Sequence, residues 1–208
     1  MLRSAAATDA GDFLRFEIEE ESDLRSTTGK KFHVIVYCGA RRLAEFKMDL
    51  SVSANFPDPA DLDQGHAIES VEMPGLDNIA YPTWPFPRVV ADKLAATYET
   101  HGTGGSTRFR DLPDLYLLQA QVPFDRRQLR DTVLAELTKR GLPHPTEFHV
   151  PDTATWERGW RNVARDDAVS LTNISFAAGL AKVKAFLDPL LSEASDGTWD
   201  PGQGRWTP

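Results

Sequence analysis

Apolar and polar residues alternate over the first fifty positions of the chain, as they do in β-strands. Residues 12–20 (DFLRFEIEE) follow this pattern, and two further β-rich runs flank GARR at 39–42 as in a hairpin. In the second run, the apolar residues occupy every other position from Ala44 to Val52. The polar residues between them are Glu45, Lys47, Asp49 and Ser51. The pattern predicts an antiparallel sheet with one buried apolar face and one polar face.

Helical periodicity replaces this alternation after residue 87. Residues 88–100 carry apolar side chains at the spacing of one helix face, namely Val90, Ala91, Leu94, Ala95 and Tyr98. Further helices are predicted from about residue 112, between an Asp125 N-cap and Gly141, and over 154–165 and 170–194. The proline-rich segment 55–87 is predicted to be a connecting region, and the tail 196–208 to be irregular.

Strands followed by helices indicate an α+β fold. We expect a β-rich part over residues 1–87 and a helical domain over 88–208. Hydrophobic residues make up 41% of the 208 and charged residues 26%, which is ordinary for a soluble globular protein. The sequence has no apolar run long enough to span a membrane and a single cysteine, Cys38. These features predict a cytoplasmic protein with no membrane partner.

The net charge of −8 argues against broad electrostatic binding of nucleic acid. A local basic pocket remains compatible with it, because the cations occur in groups. For most groups the pattern favours a solvated surface. The groups are Arg41 with Arg42, Arg108 with Arg110, Arg126 with Arg127 and Arg130, Lys139 with Arg140, and Arg158 with Arg161 and Arg165.

Residues 108–118 (RFRDLPDLYLL) allow two interpretations. In the first, Asp111 caps a helix, Pro113 lies in its first turn and Asp114 completes a capping box. In the second, a carboxylate at a helix start, beside Arg108 and Arg110, orients a cation or a nucleotide. The two interpretations are compatible with each other.

Lys93 and Asp49 are similarly ambiguous. Lys93 lies beside the apolar stripe of its helix, where a lysine usually extends its ammonium into water, although an ammonium there also suits a phosphate. Asp49 is an unusual residue in a strand, which either a polar sheet face or magnesium coordination would explain. The loop GTGGS at 102–106 is not a phosphate-binding Walker motif, and the tryptophans 156, 160, 199 and 206 are predicted to be packing residues.

Taken in order, EFKMDLSVS, VVADKLAATYE and TRFRDLPDLYLL resemble the motifs of the AbiEii-type nucleotidyltransferase toxins, which include the MenT-like enzymes of type IV toxin–antitoxin systems. The later segments VLAELTKRGLPHP and VKAFLDPLL are similar to the helical half of that family. The resemblance runs from about residue 10 to the end of the chain. It implies a nucleotidyltransferase-like mixed or antiparallel sheet followed by a helical domain.

The resemblance also implies an activity and roles for individual residues. The reaction would transfer a nucleoside monophosphate from an NTP to RNA, with Mg²⁺ and in several members at the tRNA 3′ end, and a cognate antitoxin would be a partner. By resemblance, Asp49 matches a metal ligand, and Lys93 and Asp111 match catalytic positions. The resemblance assigns phosphate binding to Lys93, Arg108 and Arg110, whereas Asp114 matches a mainly structural position.

One family motif has no counterpart. The family's strand-borne D-x-D supplies two metal ligands, but Asp9 and Asp12 are the only acids of the first 16 residues and do not form it. We therefore expect an earlier start, a second chain that supplies the motif, or a non-catalytic relative. The alternative function is a catalytically incomplete protein that binds a nucleotide, tRNA or a partner. A nucleotide-dependent phosphotransferase is a further alternative.

Overall fold

The computed structural model describes residues 2–9, 11, 13–24, 28–51, 62–65, 81–100, 105–166, 171, 173–193 and 195–208. The chain forms two compact units, Met1–Ala60 and Asp61–Pro208. The first unit is β-rich and the second is mainly helical, so the predicted α+β class is confirmed. The functional division expected at residue 87 stays a prediction.

The first unit is a three-stranded antiparallel sheet preceded by a short helix, α1 (Leu2–Ala6). Its strands β1 (Leu14–Asp23), β2 (Gly29–Cys38) and β3 (Arg41–Ser51) lie in the order β1-β2-β3. The predicted hairpin joins β2 to β3 through a two-residue turn. Gly39 begins that turn with a φ of +58°, a left-handed conformation that glycine adopts without steric cost.

The predicted alternation along β3 is confirmed, but the predicted burial of its apolar face is wrong. On the central strand β2, Val34 and Val36 are buried. On β3, which is an edge strand, Phe46 is 48% exposed and Leu50 is 42% exposed. The two-residue period determines which side chains share a face, whereas burial requires a second layer against that face.

The second unit contains the five predicted helices, which are thereby confirmed. Asp125 is an N-cap as predicted, because its Oδ1 accepts a hydrogen bond of 2.7 Å from the backbone N–H of Gln128. Gly141, with a φ of +65°, follows the end of the same helix. The helices are α2 (Phe86–Tyr98), α3 (Asp111–Gln121), α4 (Arg126–Lys139), α5 (Thr153–Asp166) and α6 (Phe176–Ser192). Taken helix by helix, the described part of the chain contains none long and apolar enough to cross a membrane.

Short strands complete the second unit. Strands β4 (Asp63–Gly65) and β5 (Tyr81–Thr83) pair within the predicted connecting region. In a separate sheet, β6 (Phe124–Asp125) pairs with β7 (Thr198–Asp200), which pairs with β8 (Arg205–Thr207). The prediction of an irregular tail is therefore wrong. Strands of three residues are too short to produce a readable alternation.

Tryptophans form much of the core of the second unit. Trp156, Trp160 and Trp199 are almost fully buried, and Trp199 Nε1 donates a hydrogen bond of 2.6 Å to the Gln119 carbonyl. Trp206 stacks on Phe186 with ring centroids 5.6 Å apart. The predicted packing role of these tryptophans is confirmed. Each buried indole N–H has a carbonyl partner, as burial of a polar group requires.

Tyr98 ties the end of α2 to the loop that precedes α5. Its hydroxyl donates to the Glu147 carbonyl at 3.4 Å and accepts from the His149 backbone N–H at 3.3 Å. Burial raises the pKa of Tyr98 to about 12; the carboxylates of Asp188 and Glu147 add to this, whereas the hydrogen bond from His149 opposes it. The phenol is therefore held neutral in the folded protein.

Alkaline pH is expected to destabilise the fold through Tyr98. The phenol ionises near pH 10 when unfolded and near pH 12 when folded, so the folded state retains a proton that the unfolded state loses. The raised pKa therefore contributes at most about 2.7 kcal/mol to the free energy of unfolding. This stability is fully present below pH 10 and is lost as the pH rises to 12. The free energy of unfolding, measured with urea between about pH 9 and 11.5, should therefore fall more steeply with pH for the wild type than for Tyr98→Phe. Equal slopes would exclude this role.

Candidate functional site

Four charged side chains meet where α2 faces the start of α3, and we call them the Lys93 cluster. They are Lys93 of α2, Asp111 and Asp114 of α3, and Arg108 of the preceding loop. Lys93 Nζ lies 3.3 Å from Asp111 Oδ1 and also donates to Asp114 Oδ2. Arg108 Nη2 donates to Asp111 Oδ1 at 3.3 Å. Asp111 thus binds two cations, Lys93 from α2 and Arg108 from three residues earlier in the chain.

Asp111 is the fixed centre of the Lys93 cluster. Its side chain is 6% exposed and that of Lys93 is 18% exposed, whereas Asp114 and Arg108 are each 46% exposed. A carboxylate this deeply buried requires cationic partners, because an unpaired charge would lose its hydration without compensation. The two half-exposed members leave the cluster accessible to a solvent-borne ligand.

Apolar neighbours hold both sides of the cluster in place. On α2, Leu94 is buried one position after Lys93, and the Thr97 hydroxyl donates a hydrogen bond of 3.0 Å to the Lys93 carbonyl. On α3, Leu112 and Leu115 are buried on either side of Asp114. The ammonium of Lys93 therefore lies at the edge of the core and points to carboxylates, and the prediction that it simply extends into water is wrong.

The predicted helix cap at Asp111 is also wrong. Asp111 is the first residue of α3, and Arg110, at the N-cap position, forms no side-chain cap hydrogen bond. Pro113 does lie in the first turn as predicted. The Asp111 carboxylate bonds to the two cations instead, since charge-assisted hydrogen bonds are stronger than those to a backbone amide. The cation-orienting interpretation of the motif therefore describes the geometry better.

One oxygen of Asp111 has an unusual environment. Arg108 Nε lies 2.7 Å from Asp111 Oδ2, although among the described residues this buried oxygen accepts no hydrogen bond. The contact of Arg108 with Oδ2 is therefore electrostatic, whereas Arg108 Nη2 hydrogen-bonds to Oδ1.

The loop before α3 is anchored on α5. Ser106 is buried. Its Oγ accepts a hydrogen bond of 3.2 Å from the Arg108 backbone N–H, and its carbonyl accepts one of 3.1 Å from Trp156 Nε1. The Phe109 ring covers Gly159, where any side chain would clash with it. Sequence reasoning missed this anchor, because a serine at the end of a glycine-rich loop carries no signal of burial. Residues 101–104 of that loop lie outside the described residues.

The remaining predicted site residues lie elsewhere. Arg110 is exposed at the start of α3. Asp49 belongs to the unit Met1–Ala60, where its side chain is 55% exposed and its Oδ1 lies 3.7 Å from Lys31 Nζ on the neighbouring strand. Asp9 accepts a hydrogen bond of 2.9 Å from the Gly11 backbone N–H, and Asp12 lies outside the described residues.

Potential metal ligands are dispersed among the described residues. Within the ranges given above, no three or more His, Cys, Asp or Glu side chains group as metal ligands do. Asp49 has a lysine as its cross-strand neighbour, which is the wrong charge beside a cation. The metal role of Asp49 stays a prediction.

A second ionic group connects α2 to α4 beside the Lys93 cluster. Arg140 donates to Glu136 at 2.7 Å, to Glu99 at 2.8 Å and to Asp92, the residue before Lys93. Burial alone would lower the pKa of Arg140, but the hydrogen bonds to Asp92, Glu136 and Glu99 outweigh it and raise the pKa above its ordinary value. Arg140 is therefore an exception among the cations predicted to be solvated.

Replacing Arg140 with methionine is expected to lower the free energy of unfolding by about 1–3 kcal/mol, because three carboxylates lose their shared donor. Arg127 provides a matched control, since its ion pair with Asp196 is mostly exposed. Arg127→Met should leave the free energy of unfolding close to that of the wild type. Urea unfolding of the two variants beside the wild type measures the difference. Equal losses would show that Arg140 does not hold α2 to α4.

A comparison with protein families adds to this geometry. The family model described as "Nucleotidyl transferase AbiEii toxin, Type IV TA system" matches residues 1–201. No curated protein matches the chain significantly. The matched range begins ahead of residue 10, from which the resemblance was expected, and it contains the Lys93 cluster and Asp49.

Proposed function

Since this chain belongs to the AbiEii nucleotidyltransferase toxin family of type IV toxin–antitoxin systems, we propose that its Lys93 cluster binds the triphosphate of an NTP for nucleotidyl transfer. One observation carries the proposal: the buried carboxylate of Asp111 holds two cations, Lys93 and Arg108, beside an accessible surface. Family membership also implies a cognate antitoxin as a partner.

The cluster has donors to spare for phosphate oxygens. An ammonium carries three N–H groups, and in the described residues two carboxylates accept from Lys93, which leaves one. Asp114 is half-exposed and can yield its place on Lys93 to a phosphate, whereas the buried Asp111 cannot move away as easily. Arg108 is also half-exposed, and its planar guanidinium suits a phosphate.

In this proposal the cations stabilise charge. Transfer of a nucleoside monophosphate builds negative charge on the departing pyrophosphate, and preorganised cations lower the energy of that state. Lys93 and Arg108 would contact the phosphates, with Arg110 adding positive charge at the entrance. Asp111 would act as a positioning residue that fixes Lys93 and Arg108. Asp114 would pair with Lys93 in the absence of an NTP and be replaced by a phosphate when an NTP binds.

Mg²⁺ belongs to the proposal as a partner of the NTP. When bound, it would neutralise phosphate charge, and the family resemblance assigns Asp49 to it. No cluster of three or more potential ligands for it lies among the described residues. Dependence on Mg²⁺ is an expected property that a chelator can test.

We propose RNA as the acceptor, and the 3′ end of tRNA as its reactive group, in a cytoplasmic setting. The second candidate function is a protein that binds a nucleotide, tRNA or a partner without catalysis. The lysine beside Asp49 favours this second candidate, since it competes with a cation for the carboxylate. The two candidates differ in one observable, because only the first transfers label to RNA.

The test incubates the full chain with each of the four NTPs, labelled at the α-phosphate, together with Mg²⁺ and total tRNA. We expect label on RNA with at least one NTP, loss of label with EDTA, and reduced label with Lys93→Ala, Asp111→Asn and Asp49→Ala. Equal labelling in the wild type and all three variants would overturn the residue assignments. NTP binding without any labelling would support the non-catalytic candidate.

A further inference from the structure

Helix α5 carries a stripe of three arginines, Arg158, Arg161 and Arg165. At 100° per residue, the three positions fall within about 60° of the helix circumference, and they extend over about 10 Å along its axis. All three side chains are exposed. We call this surface the α5 arginine stripe.

Among the described residues, the hydrogen-bond partners of the stripe are neutral. Arg158 donates to the Thr155 hydroxyl at 3.0 Å, and Arg165 donates to the Arg161 carbonyl at 3.3 Å and to Asn162. In the part of the chain that the structure describes, no salt bridge within 4.0 Å involves any of the three. By contrast, Arg108 pairs with Asp111, Arg127 with Asp196 and Arg140 with Asp92.

Among the described side chains, two acids lie near the stripe. Glu157 is exposed on the adjacent part of α5, and Asp152 precedes the helix. Hydrogen bonds from Thr155 lower the pKa of Asp152, and the charge of Arg158 adds a smaller effect. Neither acid forms an ion pair with the stripe. Within the described residues, an acidic protein of net charge −8 therefore keeps three guanidinium groups together without an ion pair, which favours an anionic ligand.

The stripe borders a cleft of about 920 Å³ between α5 and the start of α6. Trp160, Ile174 and Phe176 contribute apolar surface to this cleft, and Ser175 caps the N-terminus of α6 beside them. The positive end of a 17-residue helix thus adds to the positive charge of the arginines. An extended anion could lie along the stripe with the cleft beneath it.

The same helix supports the Lys93 cluster. Trp156 and Gly159 of α5 hold the loop that carries Ser106 and Arg108, and they occupy a different face of the helix from the arginines. On the other side, Gly179 of α6 is in close contact with the Trp160 ring. The stripe is therefore rigidly fixed on an element that also positions the proposed nucleotide site.

We propose that the α5 arginine stripe binds the phosphate backbone of the acceptor RNA. This inference rests on the proposed function, in which the acceptor is RNA. The stripe lies on α5, whose Trp156 and Gly159 also hold the loop of the proposed nucleotide site, so the acceptor RNA is the anion expected beside it. A nucleic-acid strand carries one negative charge per nucleotide in a continuous row, which a row of three arginines complements. An acidic peptide is the alternative that the test distinguishes.

The test measures binding of a fluorescent tRNA transcript by anisotropy, without NTP, across a range of salt concentrations. The stripe variant carries Arg158→Gln, Arg161→Gln and Arg165→Gln. The control variant carries Arg127→Gln, Lys139→Gln and Arg205→Gln, which removes the same charge from other surfaces of the second unit. We expect the stripe variant to bind at least about tenfold more weakly, with a salt slope reduced by about 2–3, and the control to match the wild type within about threefold.

Equal weakening of both variants would overturn the proposal, because binding would then follow net charge alone. Unchanged tRNA binding by the stripe variant would also overturn it, and a loss of polyglutamate binding in that case would assign the stripe to an acidic protein. Circular dichroism of both variants tests whether they fold. Because the assay contains no NTP, failure of nucleotidyl transfer would leave this result interpretable, and loss of tRNA binding would not affect NTP binding at Lys93.

Discussion

Lys93→Met is expected to reduce nucleotidyl transfer by about 100-fold or more, an effect typical of losing a preorganised charge at a phosphoryl-transfer site. The variant removes the ammonium that bridges Asp111 and Asp114 while keeping an unbranched side chain of similar length. It should also lower the free energy of unfolding by about 1–3 kcal/mol, since the buried Asp111 loses one of its two cations. The rate of label transfer to tRNA and urea unfolding measure the two effects separately.

Lys184→Met is the matched control for this variant. Lys184 also faces two acids, Glu147 at 3.3 Å and Asp188 at 3.7 Å, within the same unit but away from the Lys93 cluster. Its replacement should leave label transfer within about threefold of the wild type, because ordinary ion pairs contribute to stability without contacting substrate. A similar loss of transfer in both variants would indicate damage to the fold and would remove the support for a phosphate role of Lys93.

Trp199→Ala is expected to have the largest effect on stability, a loss of about 3–5 kcal/mol in the free energy of unfolding. Trp199 is fully buried, packs against Phe186 with centroids 4.8 Å apart, and donates its indole N–H to the Gln119 carbonyl. The variant would leave a cavity and an unpaired carbonyl where β7 joins α3 and α6. Urea unfolding followed by circular dichroism measures the loss.

Trp84→Ala serves as the comparison, because Trp84 is 42% exposed and the substitution removes the same side-chain volume. It should cost less than about 1 kcal/mol. Should the two variants lose equal stability, the tail strand β7 would have no special part in the core. That result would contradict the view that the C-terminal segment is an integral layer of the helical unit.

The periodicity of the sequence predicted the helices and the long strands of this protein well, but it predicted their burial and their long-range pairing less well. The apolar stripe of α2 and the N-cap Asp125 follow from local rules, so both could be found in the sequence. The exposure of Phe46 could not, because cover for a sheet face comes from tertiary packing. The tail strand containing Trp199 was missed for a similar reason, since its pairing with Phe124 is distant in sequence.

The candidate site shows the same division. Lys93 and Asp111 are separated by a glycine-rich loop, and the order of motifs alone indicated that they belong together. Their contact could not be derived from spacing, because Asp111 at a helix start also satisfies the pattern of a cap. Arg140 stands next to Lys139 in the sequence, which suggested a solvated pair of cations. Its acidic partners come from two helices, so the structure has a partly buried ionic group instead.

NTP binding at the Lys93 cluster tests the central claim most directly. Calorimetric titration of the wild type, Lys93→Met and Lys184→Met with each NTP, in the absence of RNA, separates binding from transfer. We predict that at least one NTP binds the wild type and Lys184→Met with the same affinity, and binds Lys93→Met at least about tenfold more weakly, as loss of a charged hydrogen bond requires. Equal affinity of that NTP for all three proteins would contradict the assignment of Lys93 to the triphosphate.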